Sequence, residues 1–260
     1  MNRPAESTQA RKRAPTRPPP RLPRNFISLA ACGYDLFVRE NLSRHADRIA
    51  AFLNALRSGG DADGRGNRAS GFRLELNDQP ALFVRRCRRG GAMRHLFDDL
   101  YFGANPRPLV ELRVAAEALR RGIPTVEPFG AAVRWVAPLA YRGFFITRAA
   151  AGMTLWEFIR TDDDPHVRGH VLANARSALE AVSRGGLFHP DLNLNNLFVT
   201  RHRESFDVVV LDLDKARLFD HPLGPAMRRR MRTRIAASAH KLDPAGRFLD
   251  AHALKILIGN

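Results

Sequence analysis

Two short stretches in the second half of the chain carry side chains of the kind that move phosphoryl groups. FHPDLNLNNLFV, residues 188–199, sets His189, Asp191, Asn193 and Asn196 in a loop that runs into a short apolar stretch. VVVLDLDKA, residues 208–216, ends a β-branched run with the carboxylates Asp212 and Asp214. Transfer of a phosphoryl group to a hydroxyl needs a carboxylate that orients the hydroxyl and accepts its proton, and oxygen ligands that hold Mg²⁺ on the phosphates of ATP. Asp191 has the type and setting of the base, Asn196 and Asp212 those of metal ligands. The two stretches constrain each other in order, spacing and local structure, which a lone His-x-Asp does not. An Asx-turn at Asp191 and Asn193, with Asp212 capping a strand end, is the reading without chemistry.

Those loops need elements to hold them. Val167, Val171, Leu172, Ala175, Leu179 and Val182 recur at helical spacing and predict an amphipathic helix over 166–184 that delivers the first loop. Upstream, GFRLELNDQPALFVRRC, residues 71–87, alternates apolar and polar residues about a turn at Asn77, Asp78, Gln79 and Pro80, the pattern of a β-hairpin. Gly64 and Gly66 lie just before it. Without a Cβ there, backbone N–H groups can approach phosphate; a flexible connecting loop is the other reading. Alternation sends Phe83 and Arg85 to one face and Val84 and Arg86 to the other, so one arginine faces a nucleotide cleft. A phosphate-holding cation is anchored by a helix carboxylate in such sites. PLVELRVAAEALRRG, residues 108–122, predicts that helix, with an apolar stripe at Leu109, Leu112, Ala116 and Leu119 and a stop at Gly122 and Pro124. Glu111 and Glu117 are both candidates for the carboxylate.

Residues 144–146 read as the last strand before a linker of small residues, 148–153, against which adenine would lie; a helix opens near Thr154, and 247–258 reads as a closing amphipathic helix. Strands, helix, strands and then mostly helix define an α+β class. HPDLNLNN and Asp212-Leu213-Asp214 correspond to the HRDLxxxN and DFG signatures of protein kinases, with Pro190 for the Arg and Asn193 for a Lys. The expectation is a protein-kinase-like two-lobed fold: a lobe of antiparallel sheet plus one helix over 26–150, and a mostly helical lobe over 151–260.

Composition agrees with an enzyme that has a core, since 45% of 260 residues are apolar. No stretch has the length of a membrane span: the most apolar early segment, NFISLAACGYDLFV, is short and contains Asp35. The N-terminus lacks the apolar core of a signal peptide, so a cytoplasmic location is expected. Cys32 and Cys87 are too few for a disulfide framework and read as ordinary thiols. Net charge is +16, and residues 1–25 hold seven of its cations against Glu6, together with six prolines. That composition cannot bury enough apolar surface to offset ordering, so a disordered tail is expected. It reads as a solvated leader, an anchor for an anionic membrane surface or, on the weakest signal, a nucleic-acid arm. Arg228, Arg229, Arg230, Arg232 and Arg234 form a second basic cluster in a predicted helix, either solvated or part of a basic face for an acidic acceptor.

GRG at 64–66, VRRCRRGG at 84–91, ELRVAAEALRRGIPTVEP at 111–128, HPDLNLNN at 189–196 and LDLDKA at 211–216 together resemble the lipopolysaccharide kinase family, over roughly residues 60 to 240. The resemblance implies a protein-kinase-like fold, ATP and Mg²⁺. It also implies transfer of the γ-phosphoryl group to a sugar hydroxyl, position 4 of 3-deoxy-D-manno-octulosonic acid (Kdo), on a Kdo-lipid A precursor at the cytoplasmic face of the inner membrane. By the same resemblance Arg85 takes the place of the usual strand lysine and Glu111 that of its helix partner. Asp191 takes the base position, and Asn196 and Asp212 those of the metal ligands. Cys87 departs from the family, which has an aromatic residue there, and Leu213 replaces another. A heptose, another small molecule or a protein as acceptor is the alternative, and a pseudokinase that only binds is a further one. Against a protein acceptor, KARLFDHPLGPAM after Asp214 lacks an Ala-Pro-Glu element.

Overall fold

The computed structural model describes residues 21–58, 71–87, 99–202 and 205–259. Gly64, Gly66, Arg88, Arg89 and residues 1–20 of the basic tail lie outside them.

Alternating apolar residues build an antiparallel sheet. Its first hairpin pairs β1 (Phe26–Ala31) with β2 (Tyr34–Arg39), and a 3-10 turn leads into α1 (Ala46–Arg57). A second hairpin pairs β3 (Gly71–Leu76) with β4 (Gln79–Arg86); its turn is Asn77 and Asp78 alone, because Gln79 and Pro80 already belong to β4. β5 (Tyr101–Phe102), α2 (Arg107–Arg120), β6 (Pro128–Ala137) and β7 (Ala140–Arg148) complete this half. The strand order is β1-β2-β6-β7-β4-β3, with β5 on the far end of β7.

The period of two splits the sheet's side chains between two cores. Leu36, Val38, Leu82, Val84, Phe144 and Ile146 pack in one cluster with Ile49, Leu53 and Leu56 of α1. Phe37, Ala131, Val133 and Phe145 belong to the other, with α2 and the rest of the chain. Two helices therefore flank the sheet where the sequence predicts one. ADRIAAFLNALR forms the extra helix because Ile49, Ala50, Leu53 and Leu56 recur on one face.

The second half is mostly helical. β8 (Met153–Thr154) leads into α3 (Leu155–Thr161), which opens on a capping box between Thr154 and Glu157. α4 (Pro165–Arg184) follows, then β9 (Leu187–Phe188), β10 (Leu197–His202), β11 (Ser205–Val210), β12 (Arg217–Leu218), α5 (Pro225–Leu242) and α6 (Ala251–Ile258). β8, β10 and β11 form a three-stranded sheet, and β9 pairs with β12. The last helix is shorter than 247–258, because the buried Asp243 carboxylate accepts the N–H groups of Arg247, Phe248 and Leu249 in a turn that precedes it. Among the described residues no helix is long and apolar enough to cross a membrane.

Gly186 joins α4 to β9 with φ +75°, and a Cβ there would lie 2.4 Å from the Phe219 carbonyl oxygen and 2.6 Å from that of His221. Strain and clash act together, so Gly186→Ala is expected to cost about 2 kcal/mol or more. Calorimetry should then record a melting temperature lower by roughly 4–8 °C. The two thiols should differ as sharply. Cys32 is exposed, whereas Cys87 is buried beneath the sheet and burial pushes its thiol up to about 12. A maleimide is expected to label one thiol per chain in native protein and two in denaturant, as counted by mass spectrometry.

Candidate active site

Arg85 projects from the end of β4 on the side of α2. Its Nη2 donates to both Glu111 oxygens, at 2.6 and 2.7 Å, and its Nη1 lies 3.3 Å from Asp212 Oδ1. One guanidinium thus links β4, α2 and the loop after β11. A compact lysine ammonium lacks the planar fork that makes these contacts together. Glu117 instead pairs with Arg120 and Arg121 on the outer side of the helix, at 2.6 and 2.8 Å. The buried positions of α2 are Pro108, Leu109, Glu111, Leu112, Ala115 and Ala118, so the stripe passes through Ala115 and Ala118 rather than the predicted Ala116 and Leu119. That turn of the helix puts Glu111 inside and Glu117 outside.

The two ends of the buried pair respond differently to their setting. Burial pushes the Glu111 carboxyl up to about 7; Arg85 pulls it down, and Asp212 and Asp214 add to the rise. At Arg85 burial opposes the charge, but Glu111 and Asp212 outweigh it and raise the pKa. The difference follows from the balance of causes: burial dominates at Glu111, whose side chain is 2% exposed, and two neighbouring carboxylates together outweigh burial at Arg85. Arg85 stays charged, as a guanidinium does in proteins.

The catalytic-loop candidates hang from the helix before them. His189 is buried, and its Nε2–H donates to the Leu211 carbonyl at 3.1 Å. Burial lowers its pKa, with the Leu211 bond and nearby carboxylates opposing, so the ring is neutral at pH 7. Leu211 N–H in turn donates to the Asn196 carbonyl at 2.8 Å, which fixes the two loops against each other. Asn193 donates through Nδ2 to the Asp191 carbonyl at 2.8 Å and accepts the Asn195 N–H at 2.9 Å. The Asx-type bonds of the reading without chemistry are thus present. They engage Asp191 through its backbone and leave its carboxylate, 45% exposed, facing outward.

Both oxygens of that carboxylate face cations. Lys215 Nζ lies 2.7 Å from Oδ2, and Arg234 Nη2 of α5 lies 3.5 Å from Oδ1. The Lys215 bond, aided by the charge of Arg234, holds the Asp191 carboxyl below its ordinary range against a smaller effect of burial. Asp212 has φ +60° and ψ +60°, a left-handed backbone rare for a residue with a Cβ. Asp214 lies 3.5 Å from Arg107, and burial raises its pKa, with the neighbouring charge of Asp212 adding to the rise.

Asn196 spends its Nδ2 on the loop, 3.4 Å from the Asp191 carbonyl, which leaves its amide oxygen. With the half-exposed Asp212 carboxylate this makes a hard-oxygen donor set of the type Mg²⁺ takes. Among the described residues no group of three or more His, Cys, Asp or Glu makes a cage for a metal. An ion shared with nucleotide phosphates needs only one or two protein carboxylates, so the residues present fit. Of three further participants, the sequence reading names Lys215 and Arg234 without their partners and omits Arg107. Lys215 appears there only within LDLDKA, and Arg107 and the pairing of Arg234 carry no local signal, because each meets its partner across the fold.

The model of the lipopolysaccharide kinase (Kdo/WaaP) family matches residues 57–223. No curated protein sequence matches the chain. Among solved structures the chain is similar to one described as WaaP in complex with acyl carrier protein. That match has 16% identity and a TM-score of 0.47, over 73% of this chain and 74% of the other.

Proposed function

The chain belongs to the lipopolysaccharide kinase (Kdo/WaaP) family, and from that premise we propose that it phosphorylates Kdo, at the 4-hydroxyl, in the inner core of lipopolysaccharide. The donor in this reading is ATP with Mg²⁺. The observation that carries it is the outward-facing Asp191 carboxylate, tied through His189, Leu211 and Asn196 to the loop that bears Asp212.

In this reading the acceptor hydroxyl lies against Asp191, which takes its proton as the acceptor oxygen forms a bond to the γ-phosphorus and the bond to the β-phosphate oxygen breaks. Arg85, aimed by Glu111, holds the α and β phosphates. Asn196 and Asp212 would hold Mg²⁺, which supplies positive charge where charge develops on the phosphate oxygens. Gly64 and Gly66 would cover the phosphates. Basic groups such as those exposed on α5 would hold the enzyme at the anionic cytoplasmic face of the inner membrane, close to a lipid-borne acceptor.

Incubation of the protein with γ-labelled ATP, Mg²⁺ and Kdo-bearing lipid A precursor, followed by mass spectrometry of the lipid, tests this. The expected product is the precursor with one phosphate on Kdo. Turnover of ATP onto a heptose or another acceptor, with Kdo untouched, would sink the acceptor assignment and keep the transfer chemistry.

A further inference from the structure

α5 contains five arginines and no acidic residue in its 18 positions. At about 100° per residue these do not form one patch. Arg230 and Arg234 lie one turn apart on one flank. Arg228 and Arg232 occupy the other, where they line a cavity with Arg176, Glu180 and Arg184. Arg229 falls between the two flanks, about 60° from Arg232 and about 100° from Arg230.

The flank of Arg230 and Arg234 lies along the catalytic loop. The Arg230 guanidinium sits 5.5 Å from the centre of the Phe188 ring, just before His189. One turn on, Arg234 meets Asp191 Oδ1, and a further turn on Ser238 Oγ accepts the Leu194 N–H at 3.4 Å. Lys215 and Arg234 therefore face one carboxylate from either oxygen, with Arg230 one turn from Arg234 on the same flank. Lys215 makes the close contact. Arg234 is 50% exposed at 3.5 Å, and Arg230 has no carboxylate partner among the described residues. Cations on both oxygens make a carboxylate a weaker acceptor for a hydroxyl proton, and the contact more easily given up is that of Arg234.

We propose that Arg230 and Arg234 form the seat for an anionic group, a carboxylate or a phosphate, that the acceptor carries beside its reacting hydroxyl, and that Arg234 leaves Asp191 Oδ1 for that group as the acceptor binds. The guanidinium fork suits either anion in a two-bonded grip. A neutral acceptor leaves Arg234 on the base. The proposal rests on the phosphoryl-transfer reading above and adds the residues that select an acidic acceptor.

The test compares the full chain with Arg234→Ala, Arg234→Lys and Arg229→Ala on two probes, the methyl glycoside of Kdo and its carboxyl-reduced, neutral counterpart. The readout is the ratio of kcat/KM for the acidic probe to that for the neutral one. Arg234→Ala is expected to lower this ratio about tenfold or more, chiefly through KM for the acidic probe. Arg234→Lys should restore part of it, and Arg229→Ala should keep it. Equal losses on both probes would overturn the proposal, because they would place Arg234 in plain support of the base. A second measurement needs no turnover. In protein labelled with ¹⁵N-arginine, the Nε–Hε resonance of Arg234, assigned by its loss in Arg234→Lys, should move when inorganic phosphate is titrated in. A resonance that stays still overturns the seat. One that moves in a protein unable to phosphorylate any sugar keeps the seat and removes the kinase reading instead.

Discussion

Asp191→Asn is expected to slow phosphoryl transfer about 10²- to 10⁴-fold while the protein stays folded. The carboxylate is half-exposed and its loop is held by backbone bonds from Asn193 and by His189, none of which the substitution touches. Lys215 and Arg234 lose an ion pair in the open, and such pairs contribute at most about 1 kcal/mol. Circular dichroism and the melting curve should therefore stay near wild type while the single-turnover rate collapses; a melting point that fell with the rate would mean that Asp191 supports the fold instead. The pH profile gives a second check. Lys215 and Arg234 depress the Asp191 pKa, so the base keeps its charge as pH falls through the ordinary carboxylate range, and the acid limb of the rate should lie below that range.

Arg85→Met should abolish activity at every pH and destabilise the fold in a pH-dependent way. Without its cation, Glu111 is a carboxylate shut off from water, and stranding one buried charge costs about 3–5 kcal/mol. Glu111 can escape by taking a proton, and burial already pushes its pKa up to about 7. Because its folded pKa stands above its unfolded one, the stability tied to it is fully present below the ordinary carboxylate value and is lost as pH rises through 7 and above. The variant should therefore melt close to wild type near pH 5 and progressively lower toward pH 9. Arg85→Met combined with Glu111→Leu removes both charges and should flatten that slope without restoring turnover. A single variant whose melting point ignores pH would show that Glu111 has another partner.

The parts of the site legible in the sequence are those whose residue types and spacing are local. His189 to Asn196, Asp212 and the helix over 166–184 needed only order and periodicity, and α4 runs over Pro165–Arg184. α2 was legible as a helix but not in its rotation. Leu109 and Leu112 begin either stripe, an alanine follows in both, and Leu119 makes the unobserved continuation the more apolar one. What distinguishes them is the arginine on another strand that draws Glu111 inward. β1 and β2 are not legible from alternation, because Tyr34–Val38 of β2 are buried in a row and NFISLAACGYDLFV reads as one apolar run. The split of the α5 arginines into two flanks depends on how the helix docks. A run of arginines contains no information about which of them will find Asp191.

The left-handed backbone of Asp212 sets two selection pressures against each other. A conformation of this kind costs roughly 1–3 kcal/mol in a residue with a Cβ and is eased by glycine or asparagine. A library screened for heat resistance alone would drift toward Asp212→Gly and Asp212→Asn, gaining protein that survives and losing the carboxylate proposed to hold Mg²⁺. One screened for turnover would hold aspartate and accept the lower melting point. At this position abundance and catalysis cannot be improved by the same substitution, so an engineered thermostable form should draw its gains from elsewhere in the chain.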